Sequence, residues 1–319
     1  MAILIRLLRQ ALLVGLLAAV AYVAIFFVLC KVKVSRSTAG DSALVYRTSD
    51  VYNLKGGNTY RKFREYDRTK RYDVIVIGSS HAYRGYDPSL FREAGISVYN
   101  LGTSAQTPIN TYAILKEYIT KENTGLVLLD CYENAMAMEG LESTADLSQN
   151  ITSDAAVLRM FTAIRDPRIL NMFTIRKLMA DEPAAYVDSF YVEAGFSTKT
   201  DSVKGGIDYG LDLTLELGER QPKYLVKCIR YCQEQGIPIV LVTHPLPKAS
   251  NRPRHDAFHA VIDSVCQVTG VEYLDYAFDH GLPLNDRDHY YDHNHFNRAG
   301  VRVFNPKLIG DLCREGYVK

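Results

Sequence analysis

The sequence predicts an α/β fold with a parallel sheet covered by helices on both faces. Three observations predict it. Short apolar, β-branched runs recur along the chain, and segments with helical spacing separate most of them. The runs are also apolar throughout rather than alternating, as strands buried on both faces are.

The elements follow in order. "DVIVIG" is a strand ended by glycine, "DPSLFREAG" a short helix starting near Pro88, and "SVYNLG" a second strand. "PINTYAILKEYITKENTG" is a helix with proline in its first turn, where a missing N–H costs nothing, and "LVLLDCY" is a third strand. Between about Ala135 and Gly218 the alternation fails, and "DLSQNITSDAAVLRMFTAIRDPRILNMFTIRKLM" reads as a helical insertion, a lid or a partner surface. Alternation then resumes with helix "PKYLVKCIRYCQEQG", strand "IPIVLVTHP", helix "PRHDAFHAVIDSVCQVTG" and strand "VEYLD". The helix "NRAGVRVFNPKLIGDLCREG" comes last. Residues 72–319 thus form one domain carrying an insertion at 135–218.

The N-terminus is different. Ala11 to Cys30 carries no charge for twenty residues, which as a helix spans ~30 Å, the thickness of a bilayer's hydrocarbon core. Residues 1–34 are therefore read as a membrane anchor. A cleaved signal peptide is the rival, with Arg6 and Arg9 as its basic flank. Its apolar run is too long for one, and Lys31, Lys33 and Arg36 precede any cleavage site. Basic residues flank both ends, so charge alone does not orient the helix. The polar, tyrosine-rich residues 35–71 read as a stalk whose end lies against the domain. The formal net charge of +1 argues against the basic footprint of a nucleic-acid binder. Six cysteines without a CxxC pair read as scattered thiols.

In a doubly wound sheet, ligands bind beyond the carboxyl ends of the strands. Those ends hold Gly78-Ser79-Ser80-His81, then Asn100-Leu101-Gly102, then Cys131-Tyr132-Glu133-Asn134, and finally a turn with Asp292 and His295 three residues apart. Acyl transfer needs these groups: a hydroxyl, a base, a carboxylate to orient the base, and donors for an oxyanion. The glycines do not spell GxGxxG and no GK[ST] follows, so neither dinucleotide nor P-loop binding is supported. Each residue also has a plainer reading. Ser80 closes a turn, Asn134 caps a helix, and Gly102 permits a positive φ. Their convergence with Asp292 and His295 favours chemistry. His81, Tyr83, Arg84 and His244 lie on the same rim as candidate substrate contacts. His289, Asp292, His293 and His295 invite a zinc reading, but no second ligand segment has clear spacing, so no metal and no cofactor are expected.

The blocks "VIVIGSSHAYRG", "YNLGTSAQTP", "LLDCYEN" and "YYDHNHFNRAGVRVF" resemble those of the GDSL/SGNH hydrolase superfamily, over about residues 72–134 and 219–312. The resemblance implies a flavodoxin-like α/β/α sandwich and serine ester chemistry. By position it makes Ser80 the nucleophile and Asp292 with His295 the closing D-x-x-H pair. Ser80, Gly102 and Asn134 become the oxyanion donors. It is closest to the GSS-type branch, which includes membrane-anchored proteins that transfer acyl groups to envelope polymers. Ser79 stands where GDS has aspartate, and the third block departs from G-x-N-D. The expected partners are the membrane, an acylated carbohydrate or glycolipid substrate, and a multi-pass membrane acyltransferase. The catalytic domain is expected on the exported face.

Overall fold

A computed structural model describes residues 1–34, 56–178, 190–202, 217–278 and 281–319. Most of the predicted stalk and parts of the insertion lie outside these. Five parallel strands form one sheet: β1 (Tyr72–Ile77), β2 (Val98–Asn100), β3 (Thr124–Asp130), β4 (Ile239–Thr243) and β5 (Glu272–Asp275). Their spatial order is β2-β1-β3-β4-β5. The order reverses direction at β1 and β3, and a crevice opens there beyond the carboxyl ends of the strands.

The strands alternate in which face they present. Ile75, Ile77, Val127, Leu129, Ile239 and Leu241 belong to one buried cluster, whereas Val74, Val76, Leu126, Leu128, Val240 and Val242 belong to the other. On the first face the sheet meets α2 (Gly57–Glu65), α5 (Pro108–Tyr118), α10 (Arg220–Glu234) and α11 (Arg252–Thr269) through Phe63, Ile114, Leu225 and Phe258. On the second it meets α3 (Ser80–Gly85), α4 (Pro88–Glu93) and α12 (Arg298–Arg314) through Ala82, Phe91, Val301 and Phe304. From β1 to β4 helices bury both faces, which is why those strands are almost wholly apolar; the edge strand β5 is partly exposed and carries Glu272 and Asp275.

Phe63 and Tyr66 are buried in the core, so the packed unit begins before Tyr72, inside the segment assigned to the stalk. The insertion is helical, with α6 (Glu133–Ala137), α7 (Leu141–Asn150), α8 (Asp154–Ile164) and α9 (Pro167–Leu178). It is not a detached lid. Leu147, Val157 and Met160 lie within the sheet's own core cluster. Asn110 of α5 donates to Thr144 of α7 at 2.7 Å, tying the insertion to the sandwich.

Helix α1 (Ala2–Val34) is long and apolar enough over Ala2–Ile25 to cross a membrane, with a mean hydropathy of 2.0 and none of its span buried against the protein. Tyr22 of this helix donates to Asn171 of α9 at 2.7 Å.

Gly78 is where the geometry tolerates least. Its φ is +151°, and an added Cβ would stand 2.7 Å from the Asp130 carbonyl oxygen and 3.1 Å from Ala82 Cβ. The contact partner is backbone of the neighbouring strand, which cannot step aside. Gly78→Ala is therefore expected to cost ~3 kcal/mol, or roughly 6–12 °C in Tm, read by thermal unfolding of the full chain in detergent.

Candidate active site

Strand β1 runs into Gly78, and the next residues turn into α3. Ser79 caps that helix, its side chain accepting from the His81 N–H. Ser80 is therefore the first helical residue, at a position whose N–H has no intrahelical acceptor. At the other end of the domain, the segment before α12 folds into a tight turn. An antiparallel bridge pairs Tyr290 with Phe296, and Tyr291 N–H donates to the His295 carbonyl at 3.1 Å. Asn297 then caps α12, accepting from the Ala299 and Gly300 N–H groups. A Cβ on Gly300 would fall 2.3 Å from the His289 carbonyl oxygen, so the "NRAG" run is the shape the turn needs.

This turn brings His295 against Ser80. His295 Nε2 stands 2.7 Å from Ser80 Oγ. On the other side of the ring, Nδ1 lies 3.0 and 2.9 Å from the two Asp292 carboxylate oxygens. Asp292 is itself fixed, because its Oδ1 accepts from the Asn294 and His295 N–H groups at 3.0 and 2.8 Å. Burial alone would raise this carboxyl. Hydrogen bonding and attraction from His295, with the two backbone donors, outweigh that and hold it well below the usual carboxylate range. For His295 the balance runs the other way: burial lowers the imidazole more than Asp292 raises it. Nε2 is thus unprotonated near neutral pH, and Nδ1–H faces the carboxylate.

A cavity of about 340 Å³ opens over Ser80 and His295, and Tyr83, Arg84, Ser104, Asn134, Glu142 and Tyr291 are among its walls. Asn134 lines the cavity, and its amide orientation is set by neighbours. Arg254 donates to its Oδ1, while its Nδ2 donates to Tyr132 Oη at 2.7 Å. Arg254 is held in turn by Glu133, with Nε 2.8 Å from Oε1. The second Nδ2 hydrogen of Asn134 remains for the cavity. Neither Arg254 nor Tyr132 was singled out from sequence. Arg254 comes from the first turn of a separate helix, and no motif marks it.

Gly102 is placed differently from the expectation. Its N–H donates to Asn100 Oδ1 at 3.0 Å, and it does not line the cavity. Its carbonyl accepts from the fully buried Lys62 of α2, whose ammonium burial pushes down to about 7. In this conformation Gly102 brings no free donor to the cavity. It still has to be glycine, because a Cβ would meet Ala82 Cβ at 2.7 Å.

His81 and His244 are corrected as substrate contacts. Both are 1% exposed, and both lie beneath the site rather than on its wall. His81 stacks on Tyr132 at 3.6 Å and on His244 at 4.4 Å, and His244 stacks on Phe296 at 4.8 Å. Aromatic packing explains why histidines stand at two strand ends. Burial keeps the pair uncharged, His81 well below the ordinary imidazole value and His244 at about 4. No cation therefore forms under His295. Tyr83 and Arg84 do reach the cavity. The Arg84 guanidinium lies over the Tyr291 ring at 5.0 Å, and Tyr291 stacks on His295 at 5.4 Å.

The remaining histidines of the turn point elsewhere. His293 is exposed, and His289 Nδ1 accepts from the Asn285 N–H at 3.1 Å.

No family model and no curated protein matches this chain. Solved structures similar to it include a lipase/acylhydrolase from Enterococcus faecalis, 15% identical, covering 77% of this chain and 97% of that one, with a TM-score of 0.40. Another is a GDSL-like lipase from Bacteroides thetaiotaomicron, 10% identical over 80% of this chain and 98% of that one, TM-score 0.39. A catalytic mutant of an acetylxylan esterase from Geobacillus stearothermophilus is 13% identical over 78% and 97%, TM-score 0.41. At these scores the likenesses carry no argument about chemistry, which rests on the geometry of Ser80, His295 and Asp292.

Proposed function

We propose that this chain is a membrane-anchored serine esterase or acyl-transfer enzyme of the SGNH type. Its substrates are O-acyl groups, O-acetyl foremost, on glycans or glycolipids of the cell envelope. The observation that carries the reading is the 2.7 Å contact between Ser80 Oγ and an imidazole whose far nitrogen rests on Asp292.

Ser80 Oγ attacks the ester carbonyl while its proton passes to His295 Nε2, and Asp292 stabilises the imidazolium. The negative charge that develops on the carbonyl oxygen is met by the Ser80 N–H and the Asn134 amide. Gly102 joins them only on release from Asn100. The intermediate collapses with the leaving alkoxide taking the proton from Nε2, giving acyl-Ser80 and an alcohol. Water or an acceptor hydroxyl then gives its proton to Nε2 and attacks the acyl carbonyl; the bond to Ser80 Oγ breaks, and Oγ takes that proton back from Nε2. Hydrolysis and transfer differ only at this last step.

Tyr83, Tyr291 and Met138 give the cavity faces that suit a sugar ring. The apolar helix α1 supports a substrate fixed at the membrane, with the domain on the exported face and a multi-pass acyltransferase as partner. Protease protection of a C-terminal tag in sealed vesicles tests that orientation: a protected tag in inside-out vesicles is expected for export.

A fluorophosphonate probe followed by peptide mass spectrometry tests the nucleophile. Labelling is expected at Ser80, and labelling at any other serine overturns the assignment. Supplying an acyl donor with and without a carbohydrate acceptor separates the two outcomes, since free acid alone in both arms excludes transfer.

The pH profile follows from His295. The base must be unprotonated, so activity falls as pH drops through its pKa. Because burial holds that pKa below 6.5, the acid limb of kcat/KM is expected to have its midpoint below pH 6.5. A midpoint above that value contradicts the environment described for the ring.

A further inference from the structure

The geometry points to a divalent transition-metal site, of zinc type, formed by His255, His259 and Asp275 on the flank of the domain. It is separate from the catalytic cavity, and it stands whether or not the esterase reading does.

His255 and His259 are four residues apart on α11, so their rings leave the same helix face one turn apart. Asp275, the last residue of β5, faces them from the sheet edge. His255 Nε2 and His259 Nδ1 approach the same oxygen, Asp275 Oδ2, at 2.8 and 2.6 Å. The three donor atoms all lie within 4.8 Å of one another. Zinc takes imidazole nitrogen and carboxylate oxygen at ~2.0–2.2 Å, which puts the ligand atoms of a tetrahedron roughly 3.3 Å apart. The His255 and His259 rings need to withdraw from the carboxylate by about 0.5 and 0.7 Å to admit the ion.

The surrounding groups are those that orient metal ligands. A ligating imidazole usually gives its second nitrogen to a carboxylate, and ligating carboxylates are themselves hydrogen-bonded. His259 Nε2 lies 3.3 Å from Asp263 Oδ2. Asp275 Oδ1 accepts from the Ala277 N–H at 2.9 Å, which leaves Oδ2 as the ligand atom. His255 is buried against Phe258 and Phe278, its rotation blocked by rings 5.7 and 5.5 Å away. The site is also reachable, because the His259 side chain is 38% exposed. Three protein ligands with one open, solvent-facing position is the pattern of an accessible zinc centre. Imidazole with carboxylate selects zinc and its transition-metal neighbours over calcium or magnesium.

His255 follows Arg254, the residue that fixes the Asn134 amide. An ion at this site clamps the first turns of α11 to β5 and so holds the Arg254 backbone in place.

The test is calorimetric titration of ZnCl₂ into the untagged full-length chain in detergent after chelator treatment. One equivalent is expected to bind and to raise Tm. His259→Ala, a partly exposed position whose loss leaves the core intact, is expected to weaken binding by more than about 100-fold. Asp263→Asn is expected to weaken it by about 10–100-fold, the usual cost of an outer-shell partner. His293→Ala, in the histidine-rich turn, is expected to change nothing. Co²⁺ in place of Zn²⁺ should give the visible absorption of a tetrahedral centre, lost in His259→Ala. Failure of the wild-type chain to bind Zn²⁺, or binding that is unaffected by His259→Ala, overturns the site.

Discussion

Replacing Ser80 by alanine is expected to lower kcat on an aryl acetate by about 10⁴-fold or more, with Tm unchanged within a few degrees. The size follows from the mechanism. Without the hydroxyl no acyl-enzyme forms, and what survives is the contribution of the oxyanion donors and of binding to direct attack by water, about 10³–10⁴ over solution. The fold is spared for a separate reason. Ser80 is only partly buried, its side chain bonds only to His295 among the described residues, and the cap of α3 belongs to Ser79. Steady-state kinetics beside thermal unfolding checks both halves. A variant that retains more than a tenth of wild-type kcat would show that Ser80 is not the nucleophile.

Asp292→Asn is expected to be nearly as damaging, at about 10⁴-fold in kcat, while KM changes little. Asparagine keeps the shape. Its Oδ1 still accepts from the Asn294 and His295 N–H groups, so the turn holds. Its amide nitrogen then faces His295 Nδ1 with hydrogens of its own. That removes the acceptor at 2.9 Å and the negative charge that favour a proton on Nδ1, and shifts the imidazole towards carrying its proton on Nε2. The nitrogen 2.7 Å from Ser80 Oγ thereby becomes a donor and loses its function as base. A rise in activity at high pH, where hydroxide competes with the missing base, would accompany the loss. Full activity in Asp292→Asn would show that the carboxylate does not set the tautomer.

Legibility in the sequence tracked how local each feature is. The strands were readable because burial on both faces removes polar residues from them, as in "VIVI" and "LVLL". Ser80, Asp292 and His295 were readable because glycine, a cap and a fixed spacing surround each. Asn134 lines the cavity beside Ser80 and His295, but its neighbour Arg254 lies 120 residues away and enters through tertiary packing alone. His81 and His244 were misread for the opposite reason: their position at strand ends is local, whereas their stacking between Tyr132 and Phe296 is not. Helix α2 was hidden because its polar residues include Lys62, a lysine that is nevertheless fully buried under the Gly102 carbonyl. The metal-type cluster was missed because its helix pair reads as an ordinary amphipathic face until β5 brings Asp275 against it.

Ser80 and His295, the proposed nucleophile and base, are separated by 215 positions along the chain. During synthesis the hydroxyl leaves the ribosome long before the ring that activates it, and the sheet acquires β3, β4 and β5 in between. On the proposed mechanism, a nascent or truncated polypeptide that lacks His295 has no base for Ser80. On that mechanism the site is complete only once the segment carrying Asp292 and His295 has docked against the end of β1.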